Sequence, residues 1–343
     1  MKKIWIILSI LCAYTMVNAQ SVIVLHSTDA TTVFTGNTAL ADAYALAVNG
    51  DTLYLSGGGF TAPSGFEKGV KILGAGIHPD STAATYITQI SGPVNINNGA
   101  DGLYFEGMQF SDYIHVNYSH VVDDVSFVRC KFNSNIDFGY NGTPNTNREN
   151  YAFIQCVFIN SVDLQGVTNS LITNSIFNNR VFNSMSNTIK NCSFLYNPSS
   201  TSYDVISASN TNTITNNIFH TTSSAIIEGA SNTVKNCVFI DDAPGLGESP
   251  IDVNNYKNVD LSSVFVAPPA LSFSFDDNYH LDSGAETTYP GDDGTQVGVY
   301  GGLFPLKEGF VPQNPHISFK NISSGTDENG LLNIHINVNA QDN

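Results

Sequence analysis

Three segments in the middle of the chain repeat one pattern of apolar and polar positions: NTIKNCSF (187–194), NTITNNIF (212–219) and NTVKNCVF (232–239). Degenerate copies lie upstream at SLITNSIF (170–177), YAFIQCVF (151–158), VSFVRCKF (125–132), LYFEGMQF (103–110) and VKILGAGI (70–77). Each copy closes on an apolar residue: Ile77, Phe110, Phe132, Phe158, Phe177, Phe194, Phe219 and Phe239. Their spacings of 33, 22, 26, 19, 17, 25 and 20 residues, with β-branched strand residues and Asn-rich turns, predict a coiled β-solenoid whose turns vary in length.

In such a stack each position meets the same environment in every coil. Five residues before the closing position stand Ile72, Phe105, Phe127, Phe153, Ile172, Ile189, Ile214 and Val234, an unbroken apolar column that must face inward. Two before it stand Ala75, Met108, Cys130, Cys156, Ser175, Cys192, Asn217 and Cys237, a mostly small column. Three before it, Asn174, Asn191, Asn216 and Asn236 fill four successive coils. That pattern suits a tight turn in left-handed backbone, with stacked amides hydrogen-bonding along the axis. Cys130 and Cys156 fall on adjacent coils, close enough for a disulfide but poorly oriented for one. Cys192 and Cys237 each stand two coils, about 9.6 Å, from the nearest cysteine, so buried thiols are the expectation.

A short second strand follows each copy: VNI (94–96), IHV (114–116), IDF (136–138), VDL (162–164), VF (181–182), VI (205–206), II (226–227) and IDV (251–253). Apolar–polar–apolar alternation turns the middle residue to solvent. The longest connections, 139–150, 195–204 and 240–250, border this strand and make its face the place for function. Upstream, Asn37 is placed to cap a short helix with Leu40, Tyr44 and Val48 on one stripe and Gly50 at its end, covering the open first coil. The repeat stops near Pro268-Pro269, and Ile334, Ile336 and Val338 alternate as in a half-buried strand that caps the other end. The expected fold is all-β: an N-terminal cap with a short helix over 20–62, parallel β-helix repeats over 63–266, and a closing region with strands over 267–343.

These segments carry a resemblance. ALAVNGDTLYLSGGGF (45–60) with VKILGAG (70–76) resembles the opening of right-handed parallel β-helix proteins of the pectin-lyase-like superfamily, and the NTIKNCSF copies resemble their coil repeat. NYHLDSGAETTYPGDDGTQVGVYGG (278–302) resembles the closing segment of secreted bacterial β-helix proteins. The resemblance spans about residues 35–302 and implies a right-handed coil. It implies little chemistry, because the superfamily holds lyases, hydrolases, esterases, adhesins and inert stalks.

Composition narrows the partners. Met1-Lys2-Lys3, the apolar run from Ile4 to Ala13 and Val17-Asn18-Ala19 read as a signal peptide over 1–19, with cleavage before Gln20. No later stretch reaches 18 uninterrupted apolar residues, so the expectation is a secreted or cell-surface protein with no membrane span after cleavage. Lys+Arg is 13 against Asp+Glu 30, and removal of Lys2 and Lys3 leaves 11 − 30 = −19. A chain so acidic is not expected to bind nucleic acid, which needs a basic patch. Polarity comes from 39 Asn and from hydroxyls rather than ions, so few surface ion-pair networks are expected.

On the second-strand face, the outward positions bring His115, Asp137 and Asp163 onto consecutive coils, with Arg180 just before the next strand. Coils stack at about 4.8 Å, so the two carboxylates could hold a substrate or share a Ca²⁺. In the lyases the chain resembles, a cation neutralises a uronate carboxylate and a basic side chain takes the neighbouring proton, which would give Arg180 and His115 catalytic roles. The paired-Asp and His-Gly motifs of the pectin-hydrolysing members have no convincing copy here. Two further rows, Thr173, Lys190, Thr215 and Lys235, and Thr188, Thr213 and Thr233, read as plain exposed strand chemistry. The expected function is a secreted module that contacts extracellular polysaccharide without a complete catalytic set. The alternatives are a Ca²⁺-dependent lyase on a uronate polymer, and a structural stalk or adhesin segment.

Overall fold

The computed structural model describes residues 21–143, 147–198, 203–313 and 315–339. The expected signal peptide over 1–19 lies outside the described residues. Three sheets wind along one axis: a 12-stranded sheet 1, a 9-stranded sheet 2 and a 6-stranded sheet 3. Within the coils neighbouring strands are parallel and in register, as in Ser126–Val128 on Ala152–Ile154, Lys131–Phe132 on Val157–Phe158, and Ile136–Tyr140 on Val162–Asp163. The chain is a parallel β-helix.

Each repeat copy bends once. Its first half lies in sheet 1, its closing residue lies in sheet 2, and the corner residue between them has positive φ: Arg129 (49°), Gln155 (56°), Asn174 (51°), Asn191 (52°), Asn216 (58°) and Asn236 (50°). Asparagine tolerates this backbone because its short side chain can bond locally. The inward column of sheet 1 pairs from Ile72 through Phe105, Phe127, Phe153, Ile172, Ile189 and Ile214 to Val234. All eight are buried. In sheet 2 the phenylalanines stack face to face, with ring centroids 4.4 Å apart for Phe158–Phe177 and 4.7 Å for Phe177–Phe194. Cys130, Cys156, Cys192 and Cys237 are buried free thiols.

The amide ladder along the axis is built from the other Asn of the motif. Asn212 accepts the Asn187 N–H at 2.9 Å, and Asn232 accepts the Asn212 N–H at 2.9 Å. These residues sit where the chain enters sheet 1 and the backbone ladder cannot reach the turning N–H. The corner asparagines, expected to stack on one another, turn outward instead. Asn174 donates to the carbonyls of Val299 and Gly301, Asn191 to those of Gln296 and Gly298, and Asn236 to that of Pro290. Asn216 exchanges bonds with Asp292, and Gln155 donates to the carbonyls of Phe304 and Pro305. Residues 290–313 are therefore a strap running back along the coils, fastened to one corner residue after another. The strap also buries Thr173 and Thr215, so that row is no exposed ladder, whereas Thr213 remains exposed.

Five further expectations are corrected. Ile90 takes the closing position assigned to Ile77, pairing with Phe60 and Phe110, because residues 78–87 loop out before sheet 2 resumes. Coils thus begin at Thr52–Leu55 and Gly58–Thr61, inside the segment expected to be cap. Ile251–Val253 belongs to sheet 1, paired with Thr233–Lys235, and is no second strand. The cap helix spans Ala39–Leu46 with Thr38 as its N-cap, and Val48 is exposed beyond its end; Leu40 and Tyr44 are buried as expected. Finally, His316–Thr326 and Leu332–Asn339 form an antiparallel hairpin whose Ile334, Ile336 and Val338 are 56%, 43% and 59% exposed. Alternation forecast the strand, but the strap carries it back to the first coils, where Pro315, His316 and Ile317 line a cavity with Tyr54 and Leu73. At the far end Val264, Phe265, Leu281 and Ala285 pack on Ile218 and Val238 instead.

Candidate functional site

Sheet 3 places the outward residues in one row, since His115 pairs with Asp137, Asp137 with Asp163, and Asp163 with Phe182. The inward partners Ile114, Ile136, Val162 and Val181 fix that register by burial, for a slip of one residue would turn the row into the core. The row floors a cleft of about 570 Å³ that Tyr113, Asn135, Tyr140, Ser161 and Arg180 also line.

Aromatic surfaces bracket the two carboxylates. The His115 ring stacks on Tyr140 at 4.0 Å and 10°, and on Tyr113 at 5.3 Å and 29°. On the other side the Arg180 guanidinium lies 4.7 Å from the Phe182 ring centre and 4.1 Å from that of Tyr203. Tyr113, Tyr140, Phe182 and Tyr203 were not read as site residues from sequence. Tyr113 stands two before His115 and therefore on the same strand face, which was the available signal.

The carboxylates are held by their own turns. Asp137 Oδ1 accepts the Gly139 N–H at 2.9 Å; Asp163 Oδ1 accepts the Gln165 N–H at 3.0 Å and the Asn183 amide at 2.9 Å. Burial pushes the Asp163 carboxyl above its ordinary range, against the Asn183 and Gln165 bonds that lower it, and the Asp137 charge adds to the rise. Burial also pushes the His115 imidazole down, against the Asp137 and Asp112 charges that raise it. Behind the cleft the fully buried Arg148 donates to the carbonyls of Asn117 (2.8 Å), His120 (2.9 Å) and Phe138 (2.6 Å). It ties together the strand ends that carry His115 and Asp137, a positioning role with no sequence signature.

The four expected residues thus share one cleft. The backbones of His115 and Arg180 stand three coils apart, about 14 Å along the axis, at its two ends. Asp137 and Asp163 supply two carboxylates toward the six to eight oxygens a Ca²⁺ takes, so the remainder would have to come from water or ligand. Among the described residues no cluster of three or more His, Cys, Asp or Glu is arranged to hold a metal, and no helix is long and apolar enough to cross a membrane. The chain matches no family model, no curated protein and no solved structure, so its chemistry is read from this cleft.

Proposed function

We propose that the protein is a secreted module that binds an extracellular polysaccharide along sheet 3. One observation carries the reading: ring surfaces flank two fixed hydrogen-bond acceptors along a cleft four coils long, from the Tyr113–His115–Tyr140 stack across Asp137 and Asp163 to Phe182. Ring faces suit the C–H faces of pyranose rings, and carboxylates and amides suit hydroxyl groups. At about 4.8 Å per coil the row is about 14 Å long, which favours a linked chain over a single sugar.

The test is calorimetric titration of the purified protein with a panel of neutral, amino and acidic oligosaccharides, with absorbance at 235 nm followed for unsaturated products. Binding without new absorbance is expected, and Tyr140→Ala should weaken it at least tenfold while the melting temperature holds. Binding that ignores Tyr140→Ala and Phe182→Ala, or no binding to any member, overturns the reading. β-Elimination from a uronate polymer, in which the C5 proton and the 4-linked sugar are lost and an unsaturated end absorbing at 235 nm forms, would move the protein to the lyase class.

A further inference from the structure

The cleft floor is acidic and its carboxylates touch no cation, although Arg148 lies behind Asp137 and Arg180 one coil beyond Asp163, each close enough to feel the opposite charge. Among the described residues the ion pairs are Arg129–Glu106, Lys235–Asp292, Lys257–Asp252 and His280–Glu308, so neither Asp137 nor Asp163 has one. Their Oδ1 atoms are spent on their own turns and on Asn183, which fixes both carboxylates in place on adjacent coils. Arg180, one coil further on, has its guanidinium face laid on the Phe182 and Tyr203 rings. The chain as a whole carries −17, so field and floor agree in sign.

A polyanion such as a uronate or sulfated glycan meets repulsion here. A neutral glycan can bond to the carboxylates but leaves two adjacent like charges with no cation in contact. A ligand cation relieves both, and at the Asp137 end the Tyr140 ring lines the same cleft and adds a π face.

We propose, resting on the polysaccharide reading, that the cleft selects a glycan bearing free amino groups, with a sugar ammonium seated over Asp137 and Asp163 between the Tyr140–His115 stack and Phe182. Arg180 repels a cation from the Phe182 end, which places the ammonium toward Asp137.

The experiment titrates the protein with three oligomers of equal length, β-1,4-linked glucosamine, its fully N-acetylated form, and galacturonate, below the titration of the sugar amine. N-acetylation is expected to weaken binding at least tenfold, and added salt should weaken the glucosamine oligomer alone. Asp137→Asn/Asp163→Asn, which keeps the Oδ1 acceptors, should abolish the difference between the glucosamine and N-acetylated oligomers, whatever the double substitution does to the binding of both. If the N-acetylated or galacturonate oligomer binds as tightly as free glucosamine in the unsubstituted protein, amine selection is wrong while the polysaccharide reading stands. If none of the three and no neutral glycan binds, both readings fall. The comparison of free and acetylated oligomers needs no variant, so it decides even if the double substitution fails to fold.

Discussion

The hold of the strap on the coils can be measured at Glu106 and Arg129. Glu106 accepts from Arg129 Nη2 at 2.5 Å, from the Tyr104 hydroxyl at 2.7 Å and from the Gln313 N–H at 2.7 Å, and both charged side chains are only 4% exposed. Arg129 also donates to Gln155, which donates in turn to the strap carbonyls of Phe304 and Pro305. Arg129→Met strands a buried carboxylate and Glu106→Gln strands a buried guanidinium. Each should cost about 3–5 kcal/mol, because the remaining charge stays dry without its partner. The double variant removes both charges and should lie within about 2 kcal/mol of the parent, so the two single costs overshoot it by at least about 4 kcal/mol. Urea unfolding followed by tyrosine fluorescence reads the cycle. The pH dependence has a definite sign. Burial pushes the Glu106 carboxyl up, but the Arg129 charge and the bonds from Arg129, Gln313 and Tyr104 outweigh it and hold it below its ordinary range. The resulting stability is therefore complete above the unfolded carboxylate pKa of about 4.3 and is lost as pH falls through the lower folded value. Glu106→Gln should flatten that acid limb. Additive single costs, or singles within about 1 kcal/mol of the parent, would refute the idea of a charged latch.

Two further outcomes follow from the core. Phe177→Ala should cost about 3–5 kcal/mol, toward the upper end because Phe158 and Phe194 stack on both of its faces and hold the cavity open; a melting temperature within a degree of the parent would mean the rings are not stacked. Protein lacking residues 1–19 should titrate four free thiols when unfolded without reductant, and react slowly when native, since burial pushes Cys156, Cys192 and Cys237 up to about 12. A count of two would show that Cys130 and Cys156 have joined.

What the sequence made legible is what recurs. Ile189, Ile214 and Val234 occupy equivalent sites in successive coils, so burial imposes the same demand on each and the column can be read by eye. The same recurrence set His115, Asp137 and Asp163 in one row, because sheet pairing copies the inward register to the outward face. Features that occur once left weaker traces. The strap has no period, and its partners at the corner, the outward Asn174, Asn191 and Asn236, look in sequence like asparagines chosen for backbone conformation alone. The informative departure was at Arg129 and Gln155, where longer side chains stand in a left-handed corner that asparagine fills better. Such a choice carries a conformational cost, and the bonds from Arg129 to Glu106 and from Gln155 to the strap are what offset it. The aromatic half of the cleft was hidden for a related reason: Phe182 faces outward beside inward Val181, yet composition alone assigns both to the core. In a solenoid an apolar residue at an outward register position, like a long polar one at a tight corner, marks a surface that something else must cover; at Arg129 and Gln155 it is the strap, and at Phe182 the Arg180 side chain covers one ring face while the cleft stays open to a ligand.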